Sequence, residues 1–341
     1  MTSFYDFLLI SFIKKIITLV NNSSQIDATA LNNCITKTDV RDYPEPYRGK
    51  VRDVYNLGDN KLGIVASDRI SAFDHIMKQA IPYKGQILNS LAAFAFDKVD
   101  DLVATHVIDV PHPNVTIAKK CDPVPIEVVI RACLTGHAAR VYKSGKRTLC
   151  GVVLPDGMVE NQKFEEPILT PATKAEEGHD EDISEEEILE QGIVDENIWQ
   201  EIREKAFKIF EQGQHIANKQ GLILVDTKYE FGLHNGEVTL IDEVHTADSS
   251  RYFYADGYEE RLEKGKPQKQ LSKEFLREWL MEHNFQGKEG QTLPDLPDDF
   301  RIKVYNRYTE LFEKLTGEKF EPTPIDMNSF NDQLRNIFDQ Y

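Results

Sequence analysis

Cysteine is scarce and unpaired in this sequence. Cys34, Cys121, Cys133 and Cys150 fall into no C-x-x-C spacing, which speaks against both a zinc site and a disulfide framework. Buried, reduced thiols in a reducing cytosol are the expectation. Positive charge is also in deficit: 40 Lys and Arg stand against 57 Asp and Glu, a formal net charge of −17. Such a surface repels polyanions and argues against nucleic acid as the main partner, although a local basic pocket could still take a small anion. Long apolar runs are missing too. The most apolar stretch, residues 4–20, is interrupted by Asp6, Lys14 and Lys15 and is too short and too charged to span a bilayer. It lacks the basic start and small-residue cleavage site of a secretory signal. An amphipathic extra helix, or a start codon placed too far upstream, is expected there rather than a membrane anchor. Standard nucleotide motifs are absent as well. There is no G-x-G-x-x-G, and at Gly145-Lys146 the phosphate-loop pattern fails, with Arg140 in place of its first glycine and Arg147 where Ser or Thr should follow. No solenoid-type repeat is visible.

What is present describes an ordered, enzyme-sized chain. At 341 residues, with 40% hydrophobic and 28% charged residues, it is long enough for two domains, or one large one with additions, with a substantial core and a cleft between lobes. Pro44 and Pro46 announce an extended approach to the first folded unit. VRDVYNL (51–57) and KLGIVAS (61–67), separated by Gly58-Asp59-Asn60, read as a hairpin. A helical pattern covers 85–99, with Ile87, Leu88, Leu91, Phe94 and Ala95 on one face. PIEVVIRACL (125–134) reads as a buried strand, and HAARVYKSG as a short helix after Gly136. Residues 155–192 read as a long polar connection, with an acidic helical start around Glu185 to Glu190, long enough to be a lid or binding loop. A helix over 196–220 leads to a second hairpin, LILVDTKYEFGL and EVTLIDE, turned at His234-Asn235-Gly236. Amphipathic helices near 272–285 and 300–316 close the chain.

The second hairpin carries the most chemistry. Strand alternation puts Asp226, Lys228 and Glu230 on one face, and a turn centred on Asn235 sets Asp242 opposite Lys228. Glu230 and Asp242 then suit magnesium, which keeps waters and shares substrate phosphates, while Lys228 neutralises those phosphates. A cross-strand salt bridge on a solvated face is the plainer alternative for an isolated hairpin, and the neighbouring polar signals tip the balance away from it. TADSSR (246–251) ends in Arg251, a residue type suited to bidentate phosphate recognition. Arg131, in an apolar strand, needs an anionic partner. The N–H groups of Gly136 and His137 open a helix where phosphate is favoured. YRGKVRDVY (47–55), with Lys50 and Arg52, could cover ATP phosphates, or be merely a solvated hairpin. ASDRISAFD (66–74) places Asp68, Arg69, Ser71 and Asp74 in a loop after a buried strand. The acidic run 176–182, with Lys174 beside it, is either solvated surface or part of a lid.

Taken together, GKVRDVY, ASDRISAFD, PIEVVIR, TPATKAEEGHDEDIS, LVDTKYEFG and LIDEVHTADSSR, in that order from about Tyr47 to Gly317, resemble the SAICAR synthetase family of purine biosynthesis. The resemblance implies that ATP, L-aspartate and carboxyaminoimidazole ribonucleotide (CAIR) give SAICAR, ADP and phosphate. It implies a two-lobed α+β fold: a kinase-like β-rich lobe at 47–124, an ATP-grasp-like lobe at 125–270 and packing helices at 271–317. Residues 1–46 and a tail at 318–341 are left unassigned. By motif position, Gly49, Lys50 and Arg52 would cover the ATP phosphates. Lys119, Asp122 and Val124 would border the adenine, and Glu230 and Asp242 would hold magnesium. Arg131, Gly136, His137, Asp248, Ser250 and Arg251 would take the ribonucleotide, and Asp68, Arg69 and Ser71 the aspartate side. Lys228, Lys174 and Asp180 would serve the chemistry, the last two from a lid. One departure stands out: the family pattern has Ser where this chain has His137. The expected route is phosphorylation of the imidazole carboxylate followed by attack of the aspartate amine. A small-molecule kinase and a non-catalytic nucleotide-binding regulator are the rivals.

Overall fold

The computed structural model describes residues 26, 28–174 and 181–341. The apolar segment at 4–20 and Asp180 lie outside the described residues. Two main sheets, antiparallel except where Ala104–Thr105 runs parallel to Glu237–Ile241, and the helices packed on them make up most of the molecule, so the expected α+β class is borne out.

The first sheet has five strands in the order Tyr47–Arg48, Arg52–Gly58, Lys61–Ala66, Val115–Lys119 and Val107–His112. Its leading hairpin turns at Asp59 and Asn60, both at positive φ (45° and 56°). That is the mirror-image turn whose twist suits a hairpin, and Asp and Asn tolerate it best after glycine. Tyr55, Val65, Val115 and Ile117 form a small core with Ile35 and Val40 on one face of the sheet. Phe330, Leu334 and Phe338, spaced four apart along helix Met327–Phe338, complete it. Each such side chain contributes about 1.5–3 kcal/mol by burial. Gly63 makes room for the last of them, since a Cβ there would stand 2.6 Å from the Phe338 ring. Residues 318–341, set aside as a tail on sequence grounds, therefore contribute to the folded core, Phe320 to the main cluster and the helix Met327–Phe338 to this one.

The second sheet is built on one long strand, Leu222–His234, buried along most of its length. Ile126–Cys133 and Ser250–Tyr254 pair with its first half, and Glu237–Ile241 and Asp122–Pro123 with its second. Helix Glu196–Lys219 covers one face through Trp199, Ile202, Ala206, Ile209, Phe210, Gly213 and Ala217, an i, i+3/i+4 stripe. The Asp195 side chain caps it by accepting the Asn197 N–H at 2.9 Å.

The expected polar connection at 155–192 is not one loop. Lys163–Leu169 is a strand beside Ile126–Cys133, and Ala172–Thr173 pairs with the start of Ile126–Cys133, while the helical start expected around Glu185 to Glu190 is a helix with a Ser184 capping box. Glu165, Glu166 and Pro167 hide the strand from a periodicity reading, yet charges and proline are what an edge strand tolerates.

Candidate active site

Register fixes the first half of the site. Asp226 on the long strand faces Arg131 on one neighbour and Arg251 on the other. Arg131 Nη1 lies 3.1 Å from Asp226 Oδ2, and Arg251 Nε lies 2.9 Å from Oδ1. Arg131 Nε also donates to Thr170 Oγ1 at 2.8 Å, and Arg251 Nη1 reaches Glu274 at 3.4 Å. A buried guanidinium needs an anion, and one carboxylate here orients two of them. Gly136 sits directly beneath Arg251: its φ is +56°, and a Cβ would stand 2.0–2.4 Å from the guanidinium. Arg131, Lys228, Asp248, Ser250, Arg251 and Lys273 line a cavity of about 210 Å³.

The second half lies further along the same strand. Lys228 Nζ is 3.2 Å from Glu127 Oε1, 3.5 Å from Asp242 Oδ2, and in close contact with Glu230. Lys174 Nζ also meets Glu230, and Arg52 meets Asp242 through Nη1 and Glu243 through Nη2 at 3.2 Å. The expected register is off by one. Glu230 pairs with Ile241, so in a continued ladder Asp242 would face Tyr229 and point to the other side. The strand ends at Ile241, and Asp242 takes φ +66°, with its carboxylate among Arg52 and Lys228 all the same. Burial pushes the Asp242 carboxyl upward, but Arg52, Lys228 and Lys174 outweigh it and hold it well below the ordinary carboxylate range. Burial would likewise lower Lys228, and its ring of carboxylates instead holds the ammonium well above its usual value.

The remaining expected residues fall into distinct places. Gly49 N–H bonds to the Arg52 carbonyl at 2.9 Å, forming a tight turn that carries Lys50, itself paired with Asp74. Arg69 frames that turn from inside, donating to the carbonyls of Thr36, Gly49, Lys50 and Arg52 and to Asp53. Asp68 accepts the N–H groups of Ile35 and Gly85 at 2.8 and 2.9 Å, and burial pushes it up to about 6. Asp68 and Arg69 thus bond mainly to backbone, whereas Ser71 faces Lys273 Nζ at 3.4 Å. Lys119 bonds to the Thr105 carbonyl, Asp122 is exposed, and Val124 is buried with its N–H on Phe231. The 119–124 segment links the two sheets. Ser250 Oγ lies 2.8 Å from Thr227 Oγ1. His137 does not sit on the Gly136 turn alone: its Nε2 lies 2.7 Å from Asp182.

Several groups escaped the sequence reading. Lys84, fully buried, bonds Asp248 at 2.9 Å, as Lys273 does at 3.4 Å, and Tyr308 Oη donates to Asp248 at 2.6 Å. For Asp226, which alternation did place on the shared face, what escaped is its role as the clamp between two arginines, and Glu243, buried and raised by that burial, backs Arg52. Lys84 was discoverable, because it lies in phase with Leu88 and Leu91 on an apolar helix face. For Tyr308 and Lys273 the sequence held no signal.

Among the described residues no cluster of three or more His, Cys, Asp or Glu could cage a metal ion. Glu230 and Asp242 form a different donor set: two hard carboxylates gathered on one ammonium. That suits magnesium completing its shell with water and phosphate, not a closed protein site.

A family model described as SAICAR synthetase matches residues 45–293. The phosphoribosylaminoimidazole-succinocarboxamide synthase of Bacteroides thetaiotaomicron is 55% identical over 290 residues, covering 84% of this chain and 92% of that protein. The Saccharomyces cerevisiae SAICAR synthase solved with SAICAR aligns with a TM-score of 0.73 at 35% identity, covering 84% of this chain and 100% of the other. A type-2 SAICAR synthetase solved with ADP aligns with a TM-score of 0.62 at 28% identity, covering 82% and 100%.

Proposed function

Since the chain belongs to the SAICAR synthetase family, we propose that the two charged centres on its long strand divide one ligation between them. The reaction is the ATP-dependent joining of a carboxylate to an amine in purine biosynthesis. The observation that supports the division is the alternation Asp226, Lys228, Glu230 along Leu222–His234. At 3.3 Å rise per residue, Asp226 and Glu230 are about 13 Å apart with Lys228 midway.

Asp226 holds Arg131 and Arg251 toward the cavity, where they take the phosphate of CAIR, and Gly136 lets the guanidinium approach. At the other end Gly49, Lys50 and Arg52 cover the ATP phosphates, with the 119–124 link against the adenine. Glu230 and Asp242 would hold magnesium, which neutralises and orients those phosphates when bound. Lys228 stands where the γ-phosphoryl group meets the imidazole carboxylate and stabilises the charge in flight, with Lys174 beside it. The P–O bond to ADP breaks as a carboxylate oxygen bonds to phosphorus. The aspartate amine, having lost a proton, then attacks the acyl carbon, and phosphate leaves with that oxygen. Among the described residues no helix is long and apolar enough to cross a membrane, and a cytoplasmic location fits the pathway.

The test is isotopic. With CAIR carrying heavy oxygen in its carboxylate, one label must appear in inorganic phosphate and the other in the amide. A kinase would give a phosphorylated product without free phosphate, and a regulator no turnover. Unlabelled phosphate released with genuine amide would overturn the acyl-phosphate route.

A further inference from the structure

Asp248 carries a carboxylate only 5% exposed, on which three other segments of the chain converge. It sits in the loop before Ser250–Tyr254. Lys84, the first residue of helix Lys84–Asp97 and without exposed surface, donates to its Oδ2 at 2.9 Å. Lys273, preceding helix Glu274–Glu282, lies 3.4 Å from the same oxygen. Tyr308, on helix Asp298–Thr316, donates to Oδ1 at 2.6 Å. The family match ends at residue 293, so Tyr308 comes from beyond it.

Apolar side chains of similar volume would hold these segments together as well or better, so stability is a weak reason for three donors on one anion. Their geometric effect is larger. Two carboxylate oxygens offer about four acceptor directions, and three donors spread over both oxygens stop rotation and leave one direction open. Burial alone would neutralise the group, yet Lys273, Lys84 and the tyrosine hydroxyl outweigh it and keep Asp248 ionised. Asp248 lines the cavity that also holds Arg131 and Arg251.

We propose that Tyr308 and Lys84 are positioning residues of the ligation, acting through Asp248 to hold its remaining acceptor toward a hydroxyl of the ribonucleotide. The inference rests on the ribonucleotide reading of that cavity. Neither residue touches substrate. Tyr308 fixes the direction of the carboxylate, and Lys84 ties it to the helix whose next residue, Gly85, donates to Asp68.

Tyr308→Phe removes one O–H and leaves the shape. It should raise the KM for CAIR about tenfold, the factor expected for a hydrogen bond to a charged group, while the KM for ATP and the Tm stay close to the wild type. Lys84→Met should move the CAIR KM the same way. Asp248→Asn is the reference and should exceed both. An unchanged CAIR KM in Tyr308→Phe, with Asp248→Asn impaired, overturns the positioning role. Equal loss toward ATP and CAIR overturns it too. If Asp248→Asn itself leaves the CAIR KM unchanged, the assignment of the cavity to the ribonucleotide fails instead.

Discussion

Replacing Gly136 with alanine should cut ribonucleotide affinity with little damage to the fold. Alanine at φ +56° costs about 1–2 kcal/mol by itself. The larger effect is local. The new methyl would stand 2.0–2.4 Å from three atoms of the Arg251 guanidinium, where ordinary contact needs more than 3 Å. The guanidinium is the free end of a flexible side chain, so the arginine moves and the backbone stays. Moving it disturbs the 2.9 Å bond to Asp226 and the 3.4 Å contact with Glu274, and withdraws a charged donor from the cavity. A charge-assisted hydrogen bond is worth about 1.5–3 kcal/mol, so CAIR should bind on the order of ten- to a hundredfold more weakly. ATP, which on the proposed reading binds at the other end of the strand, should be nearly unaffected. Calorimetry with each ligand separately, beside a thermal melt, decides it. Unchanged CAIR affinity with a large drop in Tm would show that Gly136 serves the fold and that Arg251 does not hold the phosphate.

Gly213→Ala is expected to destabilise despite a helix-propensity gain of about 1 kcal/mol. Its Cβ would meet the His245 ring at 2.3 Å and Leu224 at 2.8 Å, both buried, for a net loss of about 1–2 kcal/mol in urea unfolding. A stabilised variant would refute the close helix-to-sheet packing. His245 should make the fold acid-sensitive: burial lowers it to about 3, below its unfolded value near 6.5. Its contribution is therefore fully present above pH 6.5 and lost as pH falls from there toward 3. Wild type should lose about 2 kcal/mol more than His245→Gln between pH 6.5 and 5, and equal losses by urea titration would exclude the residue.

Local features carried well from sequence to structure. The hairpin turns at Asp59-Asn60 and Asn235-Gly236, the buried strand around Arg131, and the shared face of Lys228 and Glu230 all follow from patterns a few residues long. What failed was decided at long range or by one dihedral angle. His234 pairs with Glu237, so the turn is Asn235-Gly236 and not centred on Asn235, which shifts the register by one, while the positive φ of Asp242, which no periodicity reports, ends the strand at Ile241. Helix Met327–Phe338 is amphipathic, but its partner face lies some 270 residues earlier, with Phe338 lodged over Gly63. Asp68 and Arg69 look like cleft residues in a polar loop. Only the fold shows their hydrogen bonds turning inward to the 35–53 backbone and Gly85. Asp226 was visible as a charge on the right face, but its work as a clamp depends on two strands meeting it from either side.

The charges along the long strand are already balanced before any substrate is considered. Arg52 is paired with Asp242 and Glu243, Lys174 with Glu230, Lys228 with Glu127, Glu230 and Asp242, and both arginines of the cavity with Asp226. Removing one partner of the buried Arg131–Asp226 pair would cost about 3–5 kcal/mol, because the other charge stays behind unpaired, whereas the more exposed Lys174 can leave Glu230 at much smaller cost. On the proposed reading ATP would bind by exchange: its phosphates take Arg52 and Lys174, while a divalent cation takes the carboxylates those side chains release. No charge is left alone at any stage. A protein of net charge −17 can in this way hold a polyanionic nucleotide, since the attraction comes from cations already gathered by its own carboxylates and not from the sum over its surface.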